Sequence, residues 1–250
     1  MSRIRFQPIP EQLRLARDVQ EALVPPRFAD FPGVEVAVRF LPSKRVSGDF
    51  LDYFTLGPRY MGFYVGDVQG KGLEAALYAL LVSGLMRGLH KTGTDPAYLV
   101  ATLNRRLCYR PVPGKFCCLS YALFDLQQRQ LRMANAGLPF PLLVRNHTVT
   151  SIELAGFPIG MFDPSEYEQV AINLEPGDHL LFYTDGLPDS LDALSGRQGA
   201  GADQMAEIFS TNSRRSTSEL ADRLLAPLRS RRTARRPLAD DTTFVLLHVL

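Results

Sequence analysis

Residues 116–134 read FCCLSYALFDLQQRQLRMA, and this stretch decides the fold. Residues 116–125 and 130–134 are two apolar, strand-like runs on either side of the polar turn 127–129, which predicts an antiparallel hairpin. Working outward, residues 140–144, 149–154, 169–174 and 179–183 continue as strands, punctuated by Arg145-Asn146-His147 and Glu175-Pro176-Gly177-Asp178. On the N-terminal side the spacing predicts two consecutive helices. Residues 72–90 carry Leu73, Ala76, Leu77, Leu80, Leu81, Leu85 and Leu89 at helical intervals, and a second helix opens with Asp95 as cap and Pro96 in its first turn, running to Tyr109. Before them, Val34, Val36, Val38 and Phe40 alternate as a half-buried strand, and residues 59–65 form a second strand. On the C-terminal side a Gly-, Ser- and Ala-rich loop, 194–202, precedes helices 202–209 and 217–229, and strand 243–250 closes the chain. Strands do not alternate singly with helices, so a doubly wound parallel sheet is disfavoured. The pattern predicts an α+β fold of antiparallel sheets flanked by helix pairs.

Residues 10–23 read as a further helix, stopped by Pro25-Pro26. Ile9, Leu13, Ala16, Gln20 and Leu23 make one stripe at 4-3-4-3 spacing, and Leu15, Val19 and Ala22 make another. Two readings stay open, a helix packed on its own domain or one that dimerises or receives a signal. The expected organisation is an N-terminal helical segment, 1–32, and one domain, 33–250.

Composition is that of a globular protein, 46% hydrophobic and 22% charged, and a net charge of +2 names no partner. Arg214, Arg215, Arg229, Arg231, Arg232, Arg235 and Arg236 are either a solvated face or a docking surface for an acidic or phosphorylated partner. No aromatic residue interleaves with them, which argues against nucleic acid. No signal peptide is visible, and the apolar stretch 75–82 is far short of a membrane span, so a soluble cytoplasmic protein is expected. Cys108, Cys117 and Cys118 form no metal or disulfide pattern. Adjacent in a strand, Cys117 and Cys118 should face opposite sides as small core residues in a reducing compartment.

The chemistry lies in four acidic motifs, Ser47-Gly48-Asp49-Phe50, Gly66-Asp67-Val68-Gln69-Gly70-Lys71-Gly72, Tyr183-Thr184-Asp185-Gly186 and Ala239-Asp240-Asp241-Thr242-Thr243. Three of them touch an apolar strand-like run. A carboxylate there is costly without compensation, and several gathered together suggest hard divalent cations. Gly66–Gly72 lacks the spacing of a phosphate-binding P-loop. There is no Gly-x-Ser-x-Gly elbow. His90, His147, His179 and His248 show no ligand spacing, and the two within strands read as satisfied structural residues.

The ordered set resembles the metal-dependent Ser/Thr protein phosphatases, the PPM family, in their bacterial SpoIIE/RsbU branch. The resemblance runs through Val46–Asp52, Gly66–Gly72 with Ala75-Ala76, Asn135-Ala136-Gly137-Leu138-Pro139, Phe157-Pro158-Ile159-Gly160, Tyr183–Gly186 and Asp240–Thr243, and includes the N-terminal helix. It implies an α-β-β-α sandwich of two packed antiparallel sheets with two Mn²⁺ or Mg²⁺ ions between them. By matched position, Asp67 would bridge both ions, the Val68 carbonyl would be a ligand, and Asp49, Asp185 and Asp240 would complete the set. Gly48, Gly70, Asn135, Gly186, Asp189 and Asp241 would stand behind the ligands or contact substrate. The implied reaction is attack of a metal-activated water on a phosphoserine or phosphothreonine, without a phosphoenzyme. The implied substrate is a regulatory protein such as a STAS-type anti-sigma factor antagonist in a partner-switching pathway. An activating partner, or a homodimer through the N-terminal helix, would control the site, and a shift of helix 72–90 could transmit the signal. Two departures motivate an alternative, a weak or inactive module that only binds a phosphoprotein: Leu138 stands where many relatives have His, and Gly186-Leu187-Pro188-Asp189 lacks the usual Glu.

Overall fold

The computed structural model describes residues 11–89, 95–231 and 238–250; Arg232, Arg235 and Arg236 of the basic stretch lie outside them. The hairpin that decides the fold is present. Strand β5 (Cys117–Asp125) pairs antiparallel with β6 (Gln130–Ala136), and the Asp125 carboxylate closes the turn by accepting the backbone N–H groups of Gln127 and Gln128. With β3 (Asp49–Leu56), β4 (Tyr60–Val68) and β9 (Val170–Asn173) it builds a five-stranded sheet in the order β3-β4-β5-β6-β9. The other sheet has six strands: β1 (Phe28–Phe31), β2 (Val34–Leu41), β11 (Thr242–Val249), β10 (His179–Tyr183), β7 (Leu142–Arg145) and β8 (Thr148–Ser151), in that order. Every named pairing is antiparallel.

The two sheets pack face to face through Val34, Val36, Val38, Phe63, Val65, Phe182, Val245 and Leu247, a continuous buried layer. Helices α2 (Leu73–Leu89) and α3 (Pro96–Tyr109) cover the five-stranded sheet. Helices α4 (Gly186–Ser195), α5 (Ala200–Thr211) and α6 (Thr217–Arg231) cover the other. The expected sandwich is therefore present, with three helices rather than a pair on one face. No helix among the described residues is long and apolar enough to cross a membrane.

Several expectations need correction. Residues 34–41 are not half-buried: Ala37 and Arg39 on the outward face are covered too. The charge of Arg39 is met there by Asp222 and the Ser218 carbonyl. Strands β1 and β3 are additional, and β1 carries the sheet upstream of Gly33. Strand β3 hides because Asp52 and Tyr53 interrupt its apolar pattern. Asp52 stays in the strand by pairing with Arg87 of α2 at 2.8 Å, and Phe50 lies over Gly66 across the ladder, where a Cβ would stand 2.2 Å from the ring. Helix α4 is likewise additional. Asp95 flanks α3 without a side-chain cap; its carboxylate meets Arg132 instead. Cys117 and Cys118 do face opposite layers, as alternation requires.

Helix α1 (Glu11–Leu23) sits on the body by one stripe, and Gln20 is its buried residue. Leu15 and Val19 of the second stripe are exposed, at 53% and 55%. Gln20 acts as a backbone surrogate, accepting from Ser47 N at 2.9 Å and donating to Ser47 O at 2.8 Å. Arg87 adds a bond to the Leu23 carbonyl.

His179 and His248 are not fully satisfied. They stack at 4.1 Å in cross-strand register, and neither His179 Nε2 nor His248 Nδ1 has a hydrogen-bond partner. Burial, then the neighbouring His248, pushes His179 down to about 4. The unfolded ring titrates near 6.5, so the unfolded chain binds a proton that the folded chain refuses between those values. The stability His179 confers is present above pH 6.5 and is lost as pH falls toward 4, by about 2 to 3 kcal/mol. Urea unfolding at pH 7.5 and 4.5 should show that difference shrink in His179→Leu relative to the parent.

Candidate metal and phosphate site

The four acidic motifs meet at one end of the sandwich. Asp49 is the first residue of β3 and stands opposite Asp67 near the end of β4, which in turn stands opposite Cys118. In the facing sheet, Asp185 follows β10 and Asp240-Asp241 precede β11; these strands are neighbours, so the two motifs share one edge. The loop is locked by side chains. Thr184 donates its hydroxyl to Asp49 at 2.9 Å, and its N–H donates to the Thr243 carbonyl. Gly48 sits close to its neighbours, since a Cβ would lie 3.1 Å from the Val68 carbonyl oxygen and 3.4 Å from that of Gly70, itself at φ +96°.

Electrostatics mark the cluster as carrying more carboxylates than nearby cations balance. Burial, then Asp67 and Asp241, holds the Asp49 carboxyl well above the usual range. Burial, then Asp185, pushes Asp67 up to about 7. Asp185 and the exposed Asp189 are raised as well, each by burial first and then by carboxylate neighbours. The cation that sequence reading passed over is Lys71, inside the second motif. Its ammonium lies 2.7 Å from Asp240 and donates to the Ala239 carbonyl. Burial works against its charge, but Asp240, Asp241 and Asp185 outweigh that and hold it above its ordinary value. As they stand, no three His, Cys, Asp or Glu among the described residues form a group that could hold an ion. The carboxylates are neighbours around a lysine, and oxygen-only donors of this kind suit a hard divalent cation.

Asp241 serves the loop: one oxygen accepts Ser43 N and Oγ at 2.6 and 2.7 Å, the other accepts Gly48 N at 2.9 Å. Asp241→Asn should keep the fold yet weaken Mn²⁺ binding about tenfold, as loss of such supporting contacts does; calorimetric titration reads it. Asn135 is buried on β6. Its side chain accepts from Ser120 and donates to the Leu138 and Leu154 carbonyls, so its polar atoms are engaged inside the fold and it is not free for substrate. Leu138 fills the layer between the sheets. Ile159 bridges Cys117 through both backbone groups. The middle motifs thus brace the floor of the site. Gly186 opens α4 against the Asp241 carbonyl, and Pro188 sits in that helix's first turn, where its missing N–H costs nothing.

Comparison with known proteins agrees with this fold. The family described as Stage II sporulation protein E (SpoIIE) matches residues 57–250. The phosphoserine phosphatase RsbU of Bacillus subtilis is 26% identical over 185 residues, 73% of this chain and 55% of its own length. This chain thus spans little more than half of that curated relative. The SiaA-PP2C domain of Pseudomonas aeruginosa superposes with a TM-score of 0.80 over 96% of both chains, at 21% identity. The catalytic domain of the serine/threonine phosphatase PstP, solved in complex with two manganese ions, gives 0.62 over 87% of this chain and 98% of its own, at 17% identity. The fold is that of PP2C phosphatase domains.

Proposed function

The chain belongs to the SpoIIE family, and from that premise we propose that it is a metal-dependent protein serine/threonine phosphatase acting on a phosphorylated regulatory protein. The observation that carries the reading is the gathering of Asp49, Asp67, Asp185 and Asp240 at one end of the sandwich, with burial and mutual repulsion raising the first three. Asp67 would lie between two Mn²⁺ or Mg²⁺ ions, with the Val68 carbonyl beside it and Asp49, Asp185 and Asp240 around them. Such ions, when bound, activate a water and neutralise phosphate oxygens.

The protein's own groups do the rest. Thr184 fixes the orientation of Asp49. Asp241 holds the loop that carries Asp49. Lys71 balances Asp240 and would give way to a cation. Cys118, the thiol paired in register with Asp67, is pushed up to about 12 by burial, then by Asp67 and Asp185, so it stays protonated and supports water rather than sulfur as the attacking group. Leu138 packs into the core and Pro188 fits the first turn of its helix, so neither departure disturbs the fold around the aspartates.

The name of RsbU supports phosphoserine as the reacting group. A STAS-type anti-sigma antagonist is the proposed substrate. Control would enter through α1, by an activating partner or a second copy on Leu15 and Val19, since Gln20 reaches the Asp49 loop. The test is phosphate release from a phosphoserine peptide and from p-nitrophenyl phosphate. Release should require Mn²⁺ or Mg²⁺ and stop with EDTA; no release with either ion would sink the reading.

A further inference from the structure

The short strand β1 pairs with β2 only from Val34 to Ala37, so no strand covers the outer side of β2 beyond that point. Backbone direction along β2 follows from its neighbours. Gly33 accepts from Leu250 on the inner side, while Val38 donates outward to the Arg27 carbonyl. Thr243 turns its own backbone toward Thr184 of the β10 side, so its partner across the ladder, Phe40, points its N–H and C=O outward. The outward Val38 carbonyl is taken by Arg39. Phe40 has no such partner among the described residues.

Facing this edge, residues 24–26 leave α1 and form the opposite wall of a cleft of about 560 Å³. Val24, Pro25, Phe40 and Leu41 give its lining apolar ground, and Arg17, Arg27 and Lys44 line it as well. Glu21 is the one acid that lines it, and Glu21 is spent on Arg17 at 2.6 Å. Arg27 and Lys44, both exposed, hold no ion pair among the described residues. The cleft also abuts the site: Lys44 follows Ser43, which Asp241 grips, and the same loop runs on to Asp49.

We propose that this cleft docks an extended acidic segment of the phosphoprotein substrate, which adds to the free edge at Phe40 while Arg27 and Lys44 read its carboxylates. An extended chain answers an unpaired strand edge, and side-chain charge supplies its selectivity. Two cations without an ion pair among the described residues call for acidic rather than neutral residues. The position then explains how a phosphoserine carried by that segment reaches the four aspartates.

The proposal rests on the phosphatase reading, and the test separates the two. The probes are a fluorescent unphosphorylated peptide rich in Asp and Glu, its Asn/Gln counterpart, an N-methylated acidic version that cannot pair with an edge, and the phosphoserine form of the acidic peptide. The expected result is that the acidic peptide binds about tenfold tighter than the other two. Arg27→Glu with Lys44→Glu should abolish that preference. It should also raise KM for the phosphoserine peptide about tenfold while leaving p-nitrophenyl phosphate turnover unchanged. Equal binding of acidic and amide peptides by the parent protein, or undiminished preference in the double variant, overturns the proposal. An inert parent protein toward p-nitrophenyl phosphate counts against the phosphatase reading alone, because peptide binding is read without turnover.

Discussion

Asp67→Asn is expected to abolish phosphate release, by on the order of a thousandfold, and at the same time to stabilise the metal-free protein at pH 8. Both effects come from one carboxylate. The loss of activity would follow from removing the group proposed to lie between two ions. The gain in stability follows from linkage. Burial, then Asp185, raises the folded carboxyl to about 7 from an ordinary 3.8. Folding therefore holds a proton that the unfolded chain has released, and the parent protein loses stability as pH rises from 3.8 through 7. Above pH 7 the full cost is present, on the order of a few kcal/mol. Asparagine cannot ionise and escapes it. Thermal unfolding without metal should put the variant above the parent at pH 8, with the difference gone at pH 4. Adding Mn²⁺ should reverse the order at pH 8, because only the parent binds it tightly. Equal melting temperatures at pH 8 would mean that Asp67 carries no buried charge.

Gly186→Ala is expected to cost about 3 kcal/mol of stability, and with it most of the activity. The ground is steric. A Cβ at this position would lie 1.7 Å from the Asp241 carbonyl oxygen and 3.2 Å from the Asp240 side chain. The backbone there cannot simply swing away, because Thr242 donates its hydroxyl to the Gly186 carbonyl and Thr184 is tied to Thr243. Relief would separate α4 from β11, and Asp185 would part from Asp240. Urea unfolding reads the loss. A control at Gly196, where a Cβ meets nothing within 4 Å, should cost less, its left-handed backbone being the only penalty.

What could be read before the structure depended on how regular each segment is. Strands β10 and β11 are continuous apolar runs, and α2 and α3 repeat their leucines at helical spacing, so their bounds emerged within a residue or two. Strand β3 escaped notice because Asp52 breaks its apolar pattern, and Arg87, thirty-five residues away, joins the Tyr53 N–H in making that aspartate tolerable. Helix α4 was obscured by Gly186 and Pro188, which resemble a turn until the close fit against Asp241 is seen. Of the candidate site, the aspartates stood out because each sits in a short motif, three of the four beside an apolar run. Lys71 and Gln20 did not. A lysine between glycines carries no sign that it will lie on Asp240, and a glutamine in an amphipathic stripe carries no sign that it will clasp Ser47. Nor did the motif around Asn135 show which groups its side chain would hold, Ser120 and the Leu138 and Leu154 carbonyls.

The most direct measurement is a calorimetric titration of the metal-free protein with Mn²⁺ in two buffers of different ionisation enthalpy. The predicted result is saturable uptake of two ions per chain, with protons released on binding because Asp49, Asp67 and Asp185 hold them above the ordinary range. Uptake should fall away in Asp67→Asn. No saturable uptake, or uptake that Asp67→Asn leaves unchanged, would contradict a metal site at these aspartates.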